Sequence, residues 1–205
     1  IHLSIGSDSS SVIGNTISGG NDGIVIAASY SSISNNTVEA TTYGINLDSS
    51  AIYNVISANT ILGASYTSIY LFGADNNDVK SNMIVDSGGP TTNNAIFDYG
   101  TSNTISSNSI NDTSCTTTCY ALNLNGTSAS LSGNIFTGDG TYAATINDAG
   151  TGTRYAGQSV TQGGLDIRFS QPASTKALQI QTSTGLTALT ANTTDNVIQI
   201  GSTTT

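Results

Sequence analysis

The chain has 205 residues, of which 8% are charged, and its formal net charge is −9 with four Lys plus Arg. Ordinary soluble domains carry about 25% charged residues, so hydrogen bonds of the backbone and of amide and hydroxyl side chains must replace ion pairs here. The acidity predicts that neither nucleic acid nor an anionic membrane is a partner, and no apolar run approaches the roughly 18 residues of a membrane-spanning helix.

The first residues, "IHLSI", alternate in the manner of a strand. Ile1, Leu3 and Ile5 are the apolar members of this alternation, which resembles the tail of an earlier coil. A start at Ile1, with neither a signal peptide nor a tag in view, predicts a processed product or a piece of a longer protein.

A short pattern, apolar-x-x-Asn-x-apolar, then recurs along the chain. Its Asn residues are spaced by 21, 23, 23, 26 and 26 residues, and a second pattern, small-apolar-x-apolar, follows each copy. Repeats of this length with apolar residues two apart predict short strands stacked as the coils of a parallel β-helix. A weaker seventh copy has Gln in the Asn place. The positions are Asn15, Asn36, Asn59, Asn82, Asn108, Asn134 and Gln158.

The recurring amide predicts an internal Asn ladder. Equivalent side chains in successive coils lie about 4.8 Å apart, so each carboxamide can donate to one neighbour and accept from the other. Asn also tolerates the left-handed backbone of a tight corner, and we expect the ladder Asn to make that corner itself. The alternative is that Asn serves merely as a turn former.

One column of outward residues contains stacked aromatic side chains. The third residue of the second pattern reads Val25, Asn46, Tyr70, Phe97, Asn123 and Thr145 down the stack. Exposed contiguous apolar surface of the kind predicted for Tyr70 and Phe97 tends to mark a contact. A cross-strand pair covered by a turn or by the C-terminal segment is an equal alternative.

Four Asp residues raise the question of chemistry. Asp48 and Asp98 are expected two coils, about 10 Å, apart, near the range of inverting glycosidases, although turn-forming Asp is the ordinary finding. Asp75 and Asp78 in "GADNND" offer hard oxygen ligands for calcium, and a plain Asx turn is the favoured alternative. No other metal or cofactor is predicted.

Two cysteines lie close together in "CTTTC", in the longest turn. A disulfide between Cys115 and Cys119 would pin this turn and suits an oxidising exterior. A metal site would need further Cys or His ligands, and the single His, His2, is far away in sequence.

The chain is predicted to be all-β, with two parts. Residues 1–167 form a right-handed parallel β-helix of about seven to eight coils, and residues 168–205 form a small C-terminal β-module or end cap. The second part contains three alternating segments near 176–181, 186–190 and 196–201. A further irregular coil is the alternative, because Leu189, Asn192 and Thr194 faintly repeat the ladder pattern.

The segments "NTISGGNDGIVI", "NTVEATTYGINL" and "NTILGASYTSIYL" resemble the β-helix repeats of the pectate-lyase-like superfamily. That superfamily also includes periplasmic copper-site maturation proteins, phage tailspikes and cell-surface adhesins. The tail "ALQIQTSTGLTALTANTTDNVIQIGS" is similar to β-rich segments of bacterial surface and phage fibre-like proteins. The resemblance implies an extracellular carbohydrate setting or a structural rod, while the catalytic sets of pectate lyases and polygalacturonases are missing, so no enzyme is predicted.

Two classes of function remain. The first is a structural, extracellular or cell-surface subunit of a filament that assembles head to tail, because open β-helix ends expose unpaired backbone groups and no capping helix is predicted. The second is a module that binds or cleaves carbohydrate, with surface glycans as partners. For the first class, the expected contact residues are Ile1, Leu3, Ile5, Tyr70, Phe97, Val197, Ile198 and Ile200.

Overall fold

The computed structural model describes the chain apart from residues 40, 86–92, 113–118, 139–143, 161–166, 170–177, 182–186, 193–196 and 201–205. The chain divides into two compact units, Ile1–Arg168 and Phe169–Thr205. No helix in the described part of the chain is long and apolar enough to cross a membrane.

The first unit is a parallel β-solenoid with three sheets, and each coil contributes one short strand to each sheet in turn. Among the described residues, sheet 1 contains eight strands, and sheets 2 and 3 contain seven each. The strands of sheet 1 are His2–Leu3, Asp22–Ile26, Tyr43–Leu47, Thr67–Leu71, Asn93–Asp98, Cys119–Leu124, Ala144–Asp148 and Ile167–Phe169. Those of sheet 2 are Ser11–Ile13, Ser32–Ser34, Val55–Ser57, Asp78–Lys80, Thr104–Ser106, Ser130–Ser132 and Arg154–Ala156. Those of sheet 3 are Thr16–Ser18, Thr37–Glu39, Thr60–Leu62, Met83–Val85, Ser109–Asp112, Ile135–Gly138 and Ser159–Val160.

The predicted all-β parallel β-helix is therefore confirmed. Its core is a set of aliphatic columns, since Ile33 pairs with Ile56, Ile56 with Val79, and Val79 with Ile105 in sheet 2. All four of these side chains are fully buried. One predicted alignment was wrong: Phe97 pairs with Asn123, and Asn123 with Asn147 rather than Thr145, which is buried instead.

The Asn ladder runs along the corner between sheets 2 and 3. Each ladder Asn accepts on Oδ1 from the backbone N–H and the carboxamide of the preceding coil's Asn. Asn82 accepts from both nitrogens of Asn59 at 3.0 Å. Its own Nδ2 donates to the Ile56 carbonyl at 2.9 Å and to Asn108 Oδ1 at 3.0 Å. The same bonds continue from Asn15 to Gln158, whose Oε1 accepts from Asn134 Nδ2 at 3.0 Å.

The ladder Asn does not make the corner itself, contrary to the sequence-based expectation. The left-handed residue lies immediately before it, for example Asn35 (φ 55°), Ala58 (φ 54°) and Ser81 (φ 55°). A left-handed residue points its side chain away from the turn, whereas the next residue must point inward to reach its equivalents above and below. The two tasks therefore fall on successive residues.

A second polar ladder, which we did not predict, follows the corner between sheets 1 and 2. The backbone N–H of Ser31 donates to Asn54 Oδ1, that of Asn54 to Asn77 Oδ1, and that of Asn77 to Asn103 Oδ1, each at 2.8 Å. All four side chains are buried. Each coil is thus fastened to the next along two edges of sheet 2.

The second unit, described by itself, contains three strands in an antiparallel sheet. They run Leu178–Gln181, Thr187–Asn192 and Val197–Ile200. The predicted roles of the segment as an end cap and of Val197, Ile198 and Ile200 as contacts stay predictions. The predicted disulfide also stays a prediction, because Cys115 lies outside the described residues, while Cys119 is buried at the start of its strand.

Replacing Asn82 by Leu should lower the free energy of unfolding by about 1–3 kcal/mol, since it leaves buried Asn59 donors and the Ile56 carbonyl unsatisfied. Urea unfolding followed by circular dichroism measures the loss. Asn111→Leu is the matched control, because Asn111 lies on sheet 3 outside the ladder and pairs with Val85, which pairs with Leu62. Equal stability of the two variants would contradict the role given to the ladder.

Candidate functional site

Six aromatic rings form a contiguous cluster on the outer side of sheet 1, which we call the aromatic surface. Tyr43 stacks on Tyr70 with ring centroids 5.6 Å apart, and Tyr70 stacks on Phe97 at 5.3 Å. Tyr66, Phe72 and Tyr99 pack against this stack at steeper angles and are the exposed members, 40%, 51% and 54% accessible. The predicted pairing of Tyr70 with Phe97 is thus part of a larger apolar patch.

The aromatic surface forms because residues at the ends of strands lie beside the outward column that contains Tyr70 and Phe97. Tyr70 and Phe97 are direct register partners, whereas Tyr43 belongs to the start of its strand and reaches Tyr70 from one coil away. Burial, and then the neighbouring Tyr66 and Asp22, raise the pKa of Tyr43. Burial, and then Tyr43, Tyr66 and Tyr99, raise the pKa of Tyr70. Both hydroxyls therefore stay protonated at neutral pH and can donate to a ligand.

An open pocket of about 340 Å³ adjoins the aromatic surface. Its apolar wall consists of Val25, Tyr43, Tyr70 and Phe72, and its polar groups are Asn21, Asp22, Asn46 and Asp48. Asp22 Oδ2 accepts from Asn21 Nδ2 at 3.2 Å, and Asp48 Oδ1 accepts from the Ser49 backbone at 2.6 Å. Half of the lining residues are apolar or aromatic and half are polar, so the pocket offers both an apolar wall and hydrogen-bonding groups to a small ligand.

The two carboxylates that we considered as a glycosidase pair are not brought together. Asp98 pairs with Leu71, which pairs with Leu47, so the equivalent of Asp98 is Leu47 rather than Asp48. Because side chains alternate along a strand, this difference of one position directs the Asp98 side chain into the core and leaves the Asp48 side chain exposed. The alternative in which Asp48 and Asp98 face each other as a glycosidase pair is therefore not supported by their positions.

Asp98 is a buried carboxylate in an inward column that runs Ile26, Leu47, Leu71, Asp98, Leu124 and Asp148. Its Oδ1 accepts from the Gly100 N–H at 2.9 Å and from Asn103 Nδ2 at 2.8 Å. Its Oδ2 is buried and has no hydrogen-bond partner. Burial raises the pKa of Asp98 to about 6, against the lowering effect of those two hydrogen bonds, and Asp75 raises it further.

The candidate calcium ligands have protein partners. Asp75 Oδ1 accepts from the Thr101 N–H of the next coil at 2.7 Å, and Asp78 forms an ion pair with Lys80. Within the described ranges, no group of three or more His, Cys, Asp or Glu could hold a metal ion.

The first coil carries the remaining predicted contact residues. Leu3 packs against the core, while Ile1 and Ile5 are 46% and 78% exposed. The strand His2–Leu3 pairs in parallel with Asp22–Ile26, and the Ile1 amino group donates to the Gly23 carbonyl at 2.7 Å.

Comparison with known proteins gives one family. A family model described as "Periplasmic copper-binding protein (NosD)" matches residues 2–163. Searches of curated proteins and of solved structures find no match.

The copper of that description can be tested against the side chains of this chain. Copper in proteins is held mainly by His, Cys and Met, and the chain has one His, one Met and two Cys. His2 lies on sheet 1 and Met83 on sheet 3, so these two soft ligands occupy different faces of the solenoid. The described residues do not fit a copper site.

Because Asp98 is buried, we predict that the free energy of unfolding falls as pH rises. The pKa of about 6 in the folded state lies above the ordinary value of 3.8, so the folded state binds the proton more tightly. Its contribution is fully present below pH 3.8 and is lost as pH rises through about 6, a change of about 3 kcal/mol. Urea unfolding at several pH values should show this fall in the wild type and a flatter profile in Asp98→Asn. Parallel profiles of the two proteins would contradict the assignment.

Proposed function

We propose, from the premise that this chain belongs to the NosD family, that it binds a glycan on its aromatic surface and does not cleave it. The family's description as periplasmic makes this a β-helix protein of the cell-envelope kind. The observation that carries the proposal is the stack of Tyr43, Tyr70 and Phe97 beside an open pocket with four polar side chains.

The chemistry of a sugar matches these two features. A pyranose ring has an apolar face of C–H groups, which can pack against aromatic rings and be removed from water there. The rings open to it are the exposed Tyr66, Phe72 and Tyr99, because the faces of Tyr70 are covered by its stacked neighbours. Its hydroxyls require donors and acceptors at the rim, and Asn21, Asn46 and the protonated Tyr hydroxyls can supply both. The three stacked rings repeat along the solenoid axis, which suits an oligomer better than a single sugar.

The proposal of binding without cleavage rests on where the carboxylates are. Asp22 is in register with Tyr43, and Asp48 lies five residues beyond Tyr43 along the chain. At a rise of about 3.3 Å per residue their Cα atoms are about 16 Å apart along the strands, so the two residues lie at opposite ends of the strands, whereas glycosidases hold two facing carboxyl groups roughly 5–9.5 Å apart.

Replacing Tyr70, the central ring, by Ala should weaken glycan binding by about tenfold or more, because it removes the stacking contacts with both neighbouring rings. A glycan array probed with the 1–205 chain identifies a ligand, and titration calorimetry gives its dissociation constant. Tyr53→Ala is the matched control, since Tyr53 stacks only with Tyr30 among the described rings, at 5.3 Å. Failure to bind any glycan, or equal weakening by both substitutions, would reject the proposal.

Head-to-tail assembly stays a second proposal. It is favoured by the exposed apolar side chains of Ile1 and Ile5 beside the strand His2–Leu3, which is the outermost strand of sheet 1. Strand addition there would satisfy the edge by main-chain hydrogen bonds and cover these side chains.

For this second proposal, Ile5→Ser should reduce self-association several-fold, as measured by sedimentation velocity over a range of concentrations. Ile135→Ser removes an exposed Ile from sheet 3 and should leave association unchanged. A wild-type chain that stays monomeric at the highest concentration would reject assembly.

A further inference from the structure

The pocket beside the aromatic surface carries negative charge that binding to a neutral sugar would leave unused. Asp22 and Asp48 both line it, and its lining contains no Lys, Arg or His. In the described part of the chain the ion pair is Lys80 with Asp78, on sheet 2, and neither pocket carboxylate takes part in one. The lining residues therefore supply no cation to these carboxylates, while the Ile1 amino group donates to the carbonyl of Gly23, next to Asp22, and His2 pairs with Val25.

This charge separates three kinds of glycan. An acidic sugar such as a uronate would be repelled by both carboxylates, and a neutral sugar could donate hydroxyls to them but would leave their charge unbalanced. An ammonium group gains from two sources, because it is attracted to the carboxylates and to the ring of Phe72, which lines the same pocket and is 51% exposed. Aromatic faces combined with carboxylates are a recurrent way to hold an organic cation.

Two carboxylates in a wide pocket match a metal ion less well than they match an ammonium group. Calcium takes six to eight oxygen ligands, and no group of three or more acidic, Cys or His side chains occurs among the described residues. An ammonium group needs no such coordination shell, since two or three hydrogen bonds and a ring face satisfy it.

We infer that the ligand is an amino sugar with free amines, an N-deacetylated hexosamine oligomer, whose ammonium groups enter the pocket lined by Asp22 and Asp48 while its sugar rings lie on the exposed part of the aromatic surface. This inference rests on the proposed glycan function. It names the charge class of that ligand, which the aromatic stack by itself does not specify.

The test compares matched oligomers of the same length. Glucosamine hexamer, N-acetylglucosamine hexamer and galacturonate hexamer are titrated into the 1–205 chain by calorimetry, at mildly acidic pH where the amines carry protons. A chelator is present so that no divalent cation bridges ligand and protein. We expect the glucosamine oligomer to bind about tenfold more tightly than the acetylated oligomer, the preference to shrink with added salt, and the galacturonate not to bind.

Charge-removing variants locate the effect. Asp22→Asn and Asp48→Asn should each reduce the affinity for the glucosamine oligomer several-fold more than the affinity for the acetylated oligomer, because only the first ligand loses a charge partner. Asp8→Asn changes the net charge of −9 by the same amount at a site where Asp8 accepts from the Ser29 N–H, away from the pocket, and should keep the preference. Spermidine serves as a probe for charge without a sugar face and should bind more weakly than the glucosamine oligomer.

The possible failures are distinguishable. Equal binding of the glucosamine and acetylated oligomers would overturn the inference while leaving glycan binding intact. Loss of preference in Asp8→Asn as well, or spermidine binding as tight as the glucosamine oligomer, would reduce the effect to general charge attraction and also overturn it. Binding of none of the oligomers, with no ligand on a broader glycan array, would reject the proposed function itself.

Discussion

The whole solenoid depends on the satisfaction of a buried carboxamide by its own copies in the next coils. A buried amide costs free energy for every bond it fails to make. Asn82 makes four, two accepted from Asn59 and two donated to Ile56 and Asn108, and all of its partners belong to other coils. A coil that slipped by one residue would break these bonds and turn its aliphatic side chains outward, so the ladder fixes the register of all three sheets.

Because the inward side chains fix the register of the strands, the outward side chains repeat with the same period. Tyr70 and Phe97 stack because they are partners in sheet 1, and the ring spacing of 5.3 Å is close to the strand spacing of about 4.8 Å. The outward positions have no such requirement of identity, since they contact solvent. The same column changes from Val25 and Asn46 to Tyr70 and Phe97, and this freedom lets one stretch of an invariant scaffold carry a ligand surface.

Inward features could be predicted from the sequence because they repeat, and outward features could be predicted only in part. The spacing of Asn36, Asn59 and Asn82 revealed the first ladder, and Asn54, Asn77 and Asn103, each five residues before a ladder Asn, held the same signal for the second. The left-handed conformation was expected at the ladder Asn but belongs to the residue before it. Composition does not tell which of two successive residues faces inward. Asp98 was aligned with Asp48 instead of with Leu47, and this error of one position put its side chain outside the solenoid instead of in the core. Tyr43, Tyr66, Phe72 and Tyr99 were missed because strand ends and loops decide where they lie.

The same division between inward and outward residues explains why the family is described as copper-binding while the side chains of this chain do not fit a copper site. What β-helix repeats share is the inward pattern of aliphatic and amide residues, which any ligand function can accompany. Ligand chemistry belongs to the outward residues, and here these are tyrosines, phenylalanines, carboxylates and amides rather than the soft side chains that hold copper. An acidic aromatic surface discriminates by charge and by flat apolar shape. In the function that we propose, the outer face of sheet 1 selects the ligand, whereas the ladder defines the fold.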